Sequence, residues 1–218
     1  MSDHEYPGFW PLVRSDLDSY LQRKTGASPL SIWLKYWSVA YEHPGAVALL
    51  ANRAASVLRN GKPDPITRFC FRVWSVMLRI SATILGGSWI SGHAKIGKGA
   101  RHMHQGGVIV NGATEIGDYC DIWQGVNLIA DQTLKAPKIG NWVTLGANCM
   151  VIGGVEVGDF AVIGAGAVVT KNVPAGGVVV GVPGRVVKLL DPAHRPEQLP
   201  ERGNVSTDEY DAYVRAHR

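Results

Sequence analysis

The chain has 218 residues, 46% hydrophobic and 18% charged, which is enough to bury one or two small cores. Its formal net charge of +4 is mild, and no basic run with interleaved aromatic residues argues for nucleic-acid binding. No uncharged apolar stretch reaches 18 residues, and the first ten residues lack the apolar centre of a signal peptide. We therefore expect a cytoplasmic protein whose membrane contact is at most peripheral.

Residues 1–87 carry the punctuation of helices rather than of strands. Ser15 and Ser28-Pro29 are candidate starts, Asp64-Pro65 is a third, and Gly86-Gly87 is a candidate end. Four helices are predicted from these signals, over residues 15–23, 28–43, 46–59 and 65–86. We predict that residues 1–87 form an α-helical N-terminal domain.

The fourth predicted helix carries two stripes of different character. An apolar stripe recurs every three or four residues, at Ile66, Phe69, Val73, Met77, Ile80 and Ile84. A second stripe contains Arg68, Arg72, Ser75 and Arg79, with no acidic residue between Asp64 and Glu115. We interpret the basic stripe as a solvated face of a helix packed against the rest of the protein or another subunit. The alternative left open is attraction to an anionic membrane surface or an anionic polymer.

From Ile90 to about Val187 the sequence repeats with a period of six. An aliphatic residue marks each hexad, a glycine often follows it, and the fourth residue after it is small or β-branched. The marked positions are Ile90, Ile96, His102, Val108, Ile116, Ile122, Leu128, Ile139, Leu145, Val151, Val157, Ile163, Val169 and Ala175. This period predicts three short strands per turn of a parallel β-helix, with the marked side chains stacked inside.

The predicted fold class is therefore α+β, with a helical N-terminal domain followed by a left-handed parallel β-helix of hexapeptide repeats. The β-helix is assigned to residues 88–188, and residues 189–218 form a polar tail. The period slips by two residues between Val108 and Ile116 and by five between Leu128 and Ile139. Residues 129–138 are predicted to leave the β-helix as a loop, and such insertions often lie on a binding face.

Two histidines interrupt the repeat. His102 occupies a position that is aliphatic or Ala in every other hexad, and His104 follows two residues later, ahead of Gly106-Gly107. A neutral imidazole is well matched to taking a proton from a hydroxyl near pH 7, although either ring could instead have a structural role. For His102 we favour the structural role.

Several segments resemble the serine acetyltransferases and the hexapeptide-repeat O-acetyltransferases close to them, over roughly residues 15–189. The segments that carry the resemblance are Ala94-Lys95-Ile96-Gly97-Lys98-Gly99, His104, Gly107-Val108-Ile109-Val110, Gln124-Gly125-Val126-Asn127-Leu128, Pro137-Lys138-Ile139-Gly140, Ile163-Gly164-Ala165-Gly166 and Gly181-Val182-Pro183. The resemblance implies an O-acetyltransferase that uses acetyl-CoA, with no metal. His104 is then the general base, in a cleft between adjacent subunits of a homotrimer, and pairing of two trimers stays open.

The resemblance also implies where the two substrates bind. Acetyl-CoA is expected along the C-terminal coils, with contacts from Gly146, Ala147, Gly164, Ala165, Lys171 and Arg185. Acceptor contacts are expected from His102, Gln124 and Lys135. Backbone N–H groups of the glycine-rich segments near the cleft are the expected donors to the tetrahedral oxyanion.

The chain departs from this family on the acceptor side. The orienting Asp of the family falls at Trp89, the acid that usually precedes the base falls at Met103, and the Arg-His pair that holds the serine carboxylate reads Lys135-Ala136. A lysine offers a point charge rather than the fork of an arginine. We therefore expect the acceptor to be a hydroxyl of a sugar, an exopolysaccharide unit or a small metabolite, with L-serine as the alternative.

The group that orients His104 is left open between a backbone carbonyl and an acid across the interface. The candidate acids are Glu115, Asp118 and Asp131. Two rival classes are a γ-type carbonic anhydrase, with His93, His102 and His104 on zinc, and a non-catalytic scaffold trimer. His102 and His104 lie too close on one strand for the zinc pattern, and the segment around His104 argues against the scaffold.

Overall fold

A computed structural model of the chain describes residues 8–20, 39, 42–43, 45–61, 63–104 and 106–190, without the side chain of Leu85. Within these ranges three helices, α1 (Phe9–Tyr20), α2 (Gly45–Asn60) and α3 (Pro65–Gly86), precede a parallel β-solenoid. The helix predicted over 28–43 and the predicted tail lie almost entirely outside the described residues. None of the described helices is long and apolar enough to span a bilayer.

The start of α1 differs from the prediction. Ser15 lies in the middle of this helix, which begins six residues earlier at Phe9. The ring of Phe9 packs edge-on against Phe71 and Trp74 of α3, at centroid distances of 5.4 and 5.5 Å. This aromatic contact holds the first turn in place, and it is a tertiary interaction that a capping signal does not reveal.

The predicted ends of α3 are confirmed. The carboxylate of Asp64 accepts hydrogen bonds from the backbone N–H groups of Ile66 and Thr67, at 3.1 and 3.0 Å, and Pro65 fills the first turn. Gly87 ends the helix in the left-handed region, with φ of 58°. Both ends therefore follow from local capping chemistry.

The basic stripe of α3 is only partly solvated. Arg68 and Arg72 are exposed, as predicted, whereas Ser75 is buried and the guanidinium of Arg79 lies against Gly92 of the first coil. The apolar stripe is exposed within this chain, so it does not pack against the β-helix, and its packing against another subunit stays a prediction. Periodicity identified the two faces correctly, but it does not say which face is turned inward. Phe71 supplies part of the inward contact, in a cluster with Phe9.

A buried ion pair joins the helices to the solenoid. Arg53 of α2 donates two hydrogen bonds to the carboxylate of Asp16 of α1, at 2.7 and 2.9 Å. The same guanidinium donates to the backbone carbonyls of Ile96 and Gly97 in the first coil. Asp16 also accepts from the N–H of Ala100, so this single pair connects α1, α2 and the β-helix.

Fifteen short strands form three sheets within the described residues. The strands are β1 (Trp89–Ile90), β2 (Lys95–Ile96), β3 (Arg101–His102), β4 (Ile109–Val110), β5 (Glu115–Ile116), β6 (Asp121–Ile122), β7 (Asn127–Ile129), β8 (Lys138–Ile139), β9 (Thr144–Leu145), β10 (Met150–Ile152), β11 (Glu156–Val157), β12 (Val162–Ile163), β13 (Val168–Val169), β14 (Gly177–Val180) and β15 (Arg185–Leu189). The first sheet has the order β1-β4-β7-β10-β13, the second β11-β8-β5-β2, and the third β15-β14-β12-β9-β6-β3. All pairs are parallel except β14 with β15.

The inward side chains of successive coils stack in register. On the first sheet Ile90 pairs with Val110, and the column continues through Leu128, Val151 and Val169, each at most 2% exposed. These side chains belong to one hydrophobic core that also includes Ala48 and Leu49 of α2. The predicted hexapeptide β-helix is thereby confirmed.

The first slip of the period lies elsewhere than predicted. Ile90 pairs with Val110 rather than Val108, while His102 pairs with Ile122, so the two extra residues fall between His102 and Val110. Val108 is fully buried, but in the small-residue position that Val126 occupies one coil later. Because both residues are valine, the repeat can be counted either way. The insertion therefore coincides with the segment that contains His104.

Of the later predictions about the repeat, one is confirmed and one is wrong. The five-residue insertion is confirmed, and residues 130–137 connect β7 to β8. Asp131 closes this loop by accepting hydrogen bonds from Thr133 and from the N–H of Lys135. The prediction that Ala175 points inward is wrong, because Val173 pairs with Val157 and Ala175 is exposed.

Replacement of Arg53 by Met should lower the free energy of unfolding by about 3–5 kcal/mol, because the carboxylate of Asp16 is then buried without its partner. The measurement is urea denaturation followed by tryptophan fluorescence, at one fixed protein concentration. The double variant Arg53→Met/Asp16→Leu should recover part of this loss, since it leaves no buried charge unpaired.

The matched control is Arg14→Met, which removes an arginine from the exposed pair Arg14–Asp18 in α1. Exposed pairs contribute about 0–1 kcal/mol, so this variant should unfold close to the parent. An Arg53 variant no less stable than the Arg14 variant would contradict the structural role of the buried pair.

Candidate active site

One edge of the β-helix collects most of the predicted site residues. The chain passes from the third sheet to the first after β3, β6, β9 and β12. We call these stacked connections the site edge, and they comprise residues 103–108, 123–126, 146–149 and 164–167. The site edge contains His104, Gln124, Gly146, Ala147, Gly164 and Ala165.

Three further predicted residues lie elsewhere in the chain. Lys135 and Lys171 belong to connections from the first sheet to the second, and both are exposed. Arg185 is exposed at the start of β15, the strand antiparallel to β14. The structure therefore brings six of the nine predicted site residues other than His102 to one edge and distributes the other three.

His104 is exposed at the first coil of the site edge. Its ring lies 5.5 Å from the ring of Trp123 in the next coil, with an interplanar angle of 62°. Its φ is 58°, in the left-handed region. In the regular coils the left-handed residue of this edge is Gly125, Asn148 or Gly166, and Gly107 has that place in the first coil.

The left-handed conformation of His104 is therefore an addition to the repeat, produced by the two-residue insertion. Such a conformation costs on the order of 1–3 kcal/mol for a residue with a Cβ, and this chain also adopts it at regular turns of the solenoid, as at Tyr119, Trp142 and Phe160. The insertion moves the imidazole out of the stacked core, where the preceding histidine remains, and presents it to solvent.

Backbone hydrogen bonds hold the site edge together from coil to coil. Gly125 donates to the carbonyl of Gly106 at 2.8 Å, and Asn148 donates to that of Gln124 at 2.9 Å. Gly166 continues the series by donating to Ala147 at 2.8 Å. Within the described residues, Gly106 and Gly107 donate no backbone hydrogen bond, so their N–H groups are free to face a ligand beside His104.

The glycines near the C-terminal end of this edge are required by close packing. A Cβ on Gly146 would lie 2.6 Å from the carbonyl oxygen of Ile163, and one on Gly164 would lie 2.9 Å from that of Val179. Outside this contact the edge is open, and a Cβ on Gly166 would meet no atom within 4 Å. A bare backbone surface of this kind suits an extended ligand arm that carries amides, such as the arm of acetyl-CoA.

His102 has a structural environment. It is fully buried, and its Nδ1 lies 3.0 Å from the backbone carbonyl of Gly45 at the start of α2. The proton must be on Nδ1 for this contact to be a hydrogen bond. A Cβ on Gly45 would lie 2.5 Å from the ring, so only glycine permits the approach. Burial lowers the pKa of His102 to about 4. No atom of the His102 ring is accessible to an acceptor within this chain.

The candidate acids make other contacts. Glu115 forms an ion pair with Lys95 at 2.7 Å, and Asp118 accepts a hydrogen bond from the N–H of Lys98. The hydrogen bond from Thr133 holds the pKa of Asp131 below its usual value, within its own loop. None of the three lies on the site edge of its own chain.

His43 is a second histidine near His104, and it was not predicted as a site residue. The sequence indicates only that a helix ends there. The ring of His43 lies 5.0 Å from that of Tyr20, whose hydroxyl bonds to the backbone of His102. Partial burial lowers the pKa of His43, Glu42 opposes this, and His104 adds to the lowering. Its Nδ1 is buried and has no hydrogen-bond partner in the described part of the chain. The sequence shows only that this histidine precedes Pro-Gly. Its position near His104 is produced by the tertiary fold.

The other predicted acceptor contacts have different surroundings. The side-chain oxygen of Gln124, which follows Trp123 on the site edge, is buried without a hydrogen-bond partner among the described residues. Lys135 is exposed, and its stem lies against Gly154 of the next coil. In the described ranges no three His, Cys, Asp or Glu side chains are grouped so that they could hold a metal ion.

The stacked hexads and the exposed imidazole on their edge define a hexapeptide-repeat transferase. The sequence model of the family described as bacterial transferase hexapeptide (six repeats) matches residues 136–171. These residues cover the coils that form the C-terminal half of the site edge.

Two curated relatives narrow this class. The serine acetyltransferase of Helicobacter pylori is 35% identical over 147 residues, which cover 65% of this chain and 79% of that protein. That of Synechococcus elongatus is 36% identical over 148 residues, covering 66% of this chain but only 57% of that protein. The chain belongs to the serine acetyltransferase family.

Solved structures agree on the fold. The serine acetyltransferase of Neisseria gonorrhoeae superposes with a TM-score of 0.68 at 26% identity, over 87% of this chain and 71% of that one. The serine acetyltransferase of Brucella abortus in complex with coenzyme A has a TM-score of 0.66 at 24% identity, over 83% and 68%.

The burial of His102 predicts a pH-dependent stability. Its pKa of about 4 lies below the value of about 6.5 in the unfolded chain, so between these values the unfolded state binds more protons. The free energy of unfolding therefore has its full value above pH 6.5 and falls by up to about 3 kcal/mol as the pH drops from 6.5 towards 4. The variant His102→Leu should therefore show a flatter dependence of unfolding free energy on pH.

The measurement is urea denaturation of both proteins at pH 4.5 and pH 7. The parent should lose more stability than His102→Leu on acidification, whatever their relative stability at pH 7. Equal losses in the two proteins would show that the imidazole titrates normally and is not held neutral by the fold.

Proposed function

We propose that the protein is an acetyl-CoA-dependent O-acetyltransferase in which His104 is the general base. The observation that carries this proposal is the exposed imidazole, added by an insertion to an edge of stacked glycine-rich connections. Membership of the serine acetyltransferase family supports the reaction class.

In the proposed reaction His104 accepts the proton of the acceptor hydroxyl while that oxygen attacks the acetyl thioester. The oxygen–acyl bond forms, the carbon–sulfur bond breaks, and the proton passes from the imidazolium to the departing thiolate. The N–H groups of Gly106 and Gly107 lie beside His104 in the chain and are the proposed donors to the oxyanion.

The proposed seat of acetyl-CoA is the C-terminal half of the site edge. Gly146 and Gly164 keep the coils close, and the open backbone at Ala165 and Gly166 offers a surface for the extended arm. Lys171 and Arg185, which are exposed cations at that end of the β-helix, are the proposed contacts for the phosphates. The neighbour solved in complex with coenzyme A supports this ligand.

The proposed assembly is a homotrimer with the site at each subunit seam. The distribution of residues supports it, because Lys135 and Lys171 lie on a different edge from His104. A neighbouring subunit that packs its first-to-second connections against the site edge would bring Lys135 towards the base and Lys171 towards the proposed seat of acetyl-CoA. Asp131, which shares the loop of Lys135, would arrive by the same route.

The relatives named serine acetyltransferase favour L-serine as the acceptor. The positions at which this chain departs from that family had instead led us to expect a saccharide. A hydroxyl of a saccharide is the second candidate, because Trp89 is half exposed on the first coil and Lys135-Ala136 replaces the carboxylate clamp. An aromatic face suits the apolar side of a sugar ring, whereas Lys135 can still supply one positive charge to a carboxylate.

Replacement of His104 by Ala should lower kcat about 10²–10⁴-fold with unchanged secondary structure, because the reaction loses its proton acceptor. The measurement is thiol release from acetyl-CoA, with circular dichroism as the check on folding. The control is Arg14→Ala, which removes an exposed side chain from α1 rather than from either edge of the proposed seam. A His104 variant as active as the Arg14 variant would refute the assignment.

An acceptor panel separates the two candidate functions. L-Serine should be acetylated with a higher kcat/KM than saccharides, and Lys135→Ala should raise the KM for L-serine about tenfold or more, as expected for a lost contact to a charged group. The control Lys138→Ala removes an exposed cation from β8 nearby and should have little effect. Faster turnover of a saccharide than of L-serine, with no effect of Lys135, would favour the second candidate.

A further inference from the structure

The outer face of α3 is an exposed apolar surface along the length of the helix. Its side chains are between 43% and 77% exposed, and they are Ile66, Phe69, Val73, Val76, Met77, Ile80 and Ile84. From Ile66 to Ile84 the face extends about 27 Å at the helical rise of 1.5 Å per residue. Contiguous apolar surface of this extent marks a site of contact with a protein or a membrane.

The two borders of this outer face differ in chemistry. With an advance of 100° per residue, Arg72 lies along one border and Trp74 along the other, whereas Arg68 lies further round, beside Ser75 and Arg79. Arg68 and Arg72 are exposed, and neither forms an ion pair within the described residues. Trp10 is 74% exposed and joins the Trp74 border through Phe9, which contacts both indoles.

The residues at these borders suit a lipid headgroup region better than the α3 helix of a second copy of the chain. Tryptophan prefers the level of the headgroups, and arginine is attracted to anionic lipid. No acidic residue occurs between Asp64 and Glu115 to offset the two arginines. In an antiparallel pair of α3 helices the arginines of each copy would meet no acidic side chain of the other, because α3 contains none.

We propose that the outer face of α3 seats the protein on a membrane surface that contains anionic lipid. The helix lies in the plane of the interface, with its apolar residues in the outer part of the acyl region and Arg68 and Arg72 at the headgroups. The inward face of α3 stays packed on the protein through Ser75 and Ala82. This inference is independent of the identity of the acceptor.

The experiment is co-sedimentation of the full chain with vesicles of phosphatidylcholine alone and with about a third phosphatidylglycerol. The protein should partition at least tenfold more strongly onto the anionic vesicles. The variant Phe69→Gln/Met77→Gln should lose at least tenfold in partition coefficient. Arg68→Gln/Arg72→Gln should lose about fivefold for each arginine removed, and only on anionic vesicles.

Two matched controls should bind like the parent protein. Val187→Gln removes an exposed apolar side chain from β15, and Arg14→Gln removes an exposed arginine from α1. Size-exclusion chromatography with light scattering of every variant reports on subunit contacts and on folding at the same time.

Three outcomes would overturn the proposal. The parent protein could fail to bind anionic vesicles. It could bind them with Phe69→Gln/Met77→Gln unaffected, which would indicate adsorption by charge alone. Alternatively, Phe69→Gln/Met77→Gln could convert the protein into a smaller oligomer while vesicle binding stays absent, which would assign the outer face of α3 to a subunit interface.

Discussion

The structure depends on the stacking of inward aliphatic side chains at a fixed separation from coil to coil. Ile90, Val110, Leu128, Val151 and Val169 form one such column, and each is shielded from water by its neighbours above and below. A shift of one residue in any strand would turn its apolar side chain to solvent and a polar one inward. Extra residues can therefore be accommodated only where the chain turns between sheets.

This constraint explains where the chemistry is located. The two extra residues before Val110 cannot enter the column, so they enlarge the connection that follows His102. The enlargement takes His104 out of the repeat and into an exposed, left-handed position beside Trp123. One histidine thus remains in the core as a structural side chain, and the other, two residues away, becomes available to a substrate.

Much of this arrangement could be predicted because the repeat is a local pattern. The β-helix, the five-residue insertion and both caps of α3 follow from residue spacing and from the conformational preferences of Asp64, Pro65 and Gly87. The position of the first insertion could not, because Val108 and Val110 satisfy the hydrophobic pattern equally well. Only the pairing of whole coils decides between them.

The remaining errors concern contacts between distant segments. Periodicity identifies the apolar stripe of α3, but it cannot tell whether this stripe faces the β-helix or lies away from it, as it does within this chain. The sequence does not reveal that His43 lies near His104, because its contact with Tyr20, which bonds to His102, forms only in the folded chain. Any group that another subunit would supply to the proposed base is likewise not predictable from a pattern within one chain.

The hydrogen bond between His102 and Gly45 links the folding of the first coil to that of the helices. The first coil buries a polar ring whose acceptor belongs to α2, and Arg101 of the same strand donates to the carbonyl of Ser19 in α1. The buried polar groups of β3 are therefore satisfied only when α1 and α2 are docked on the first coil. The position of His104, which follows this strand, depends in turn on that docking.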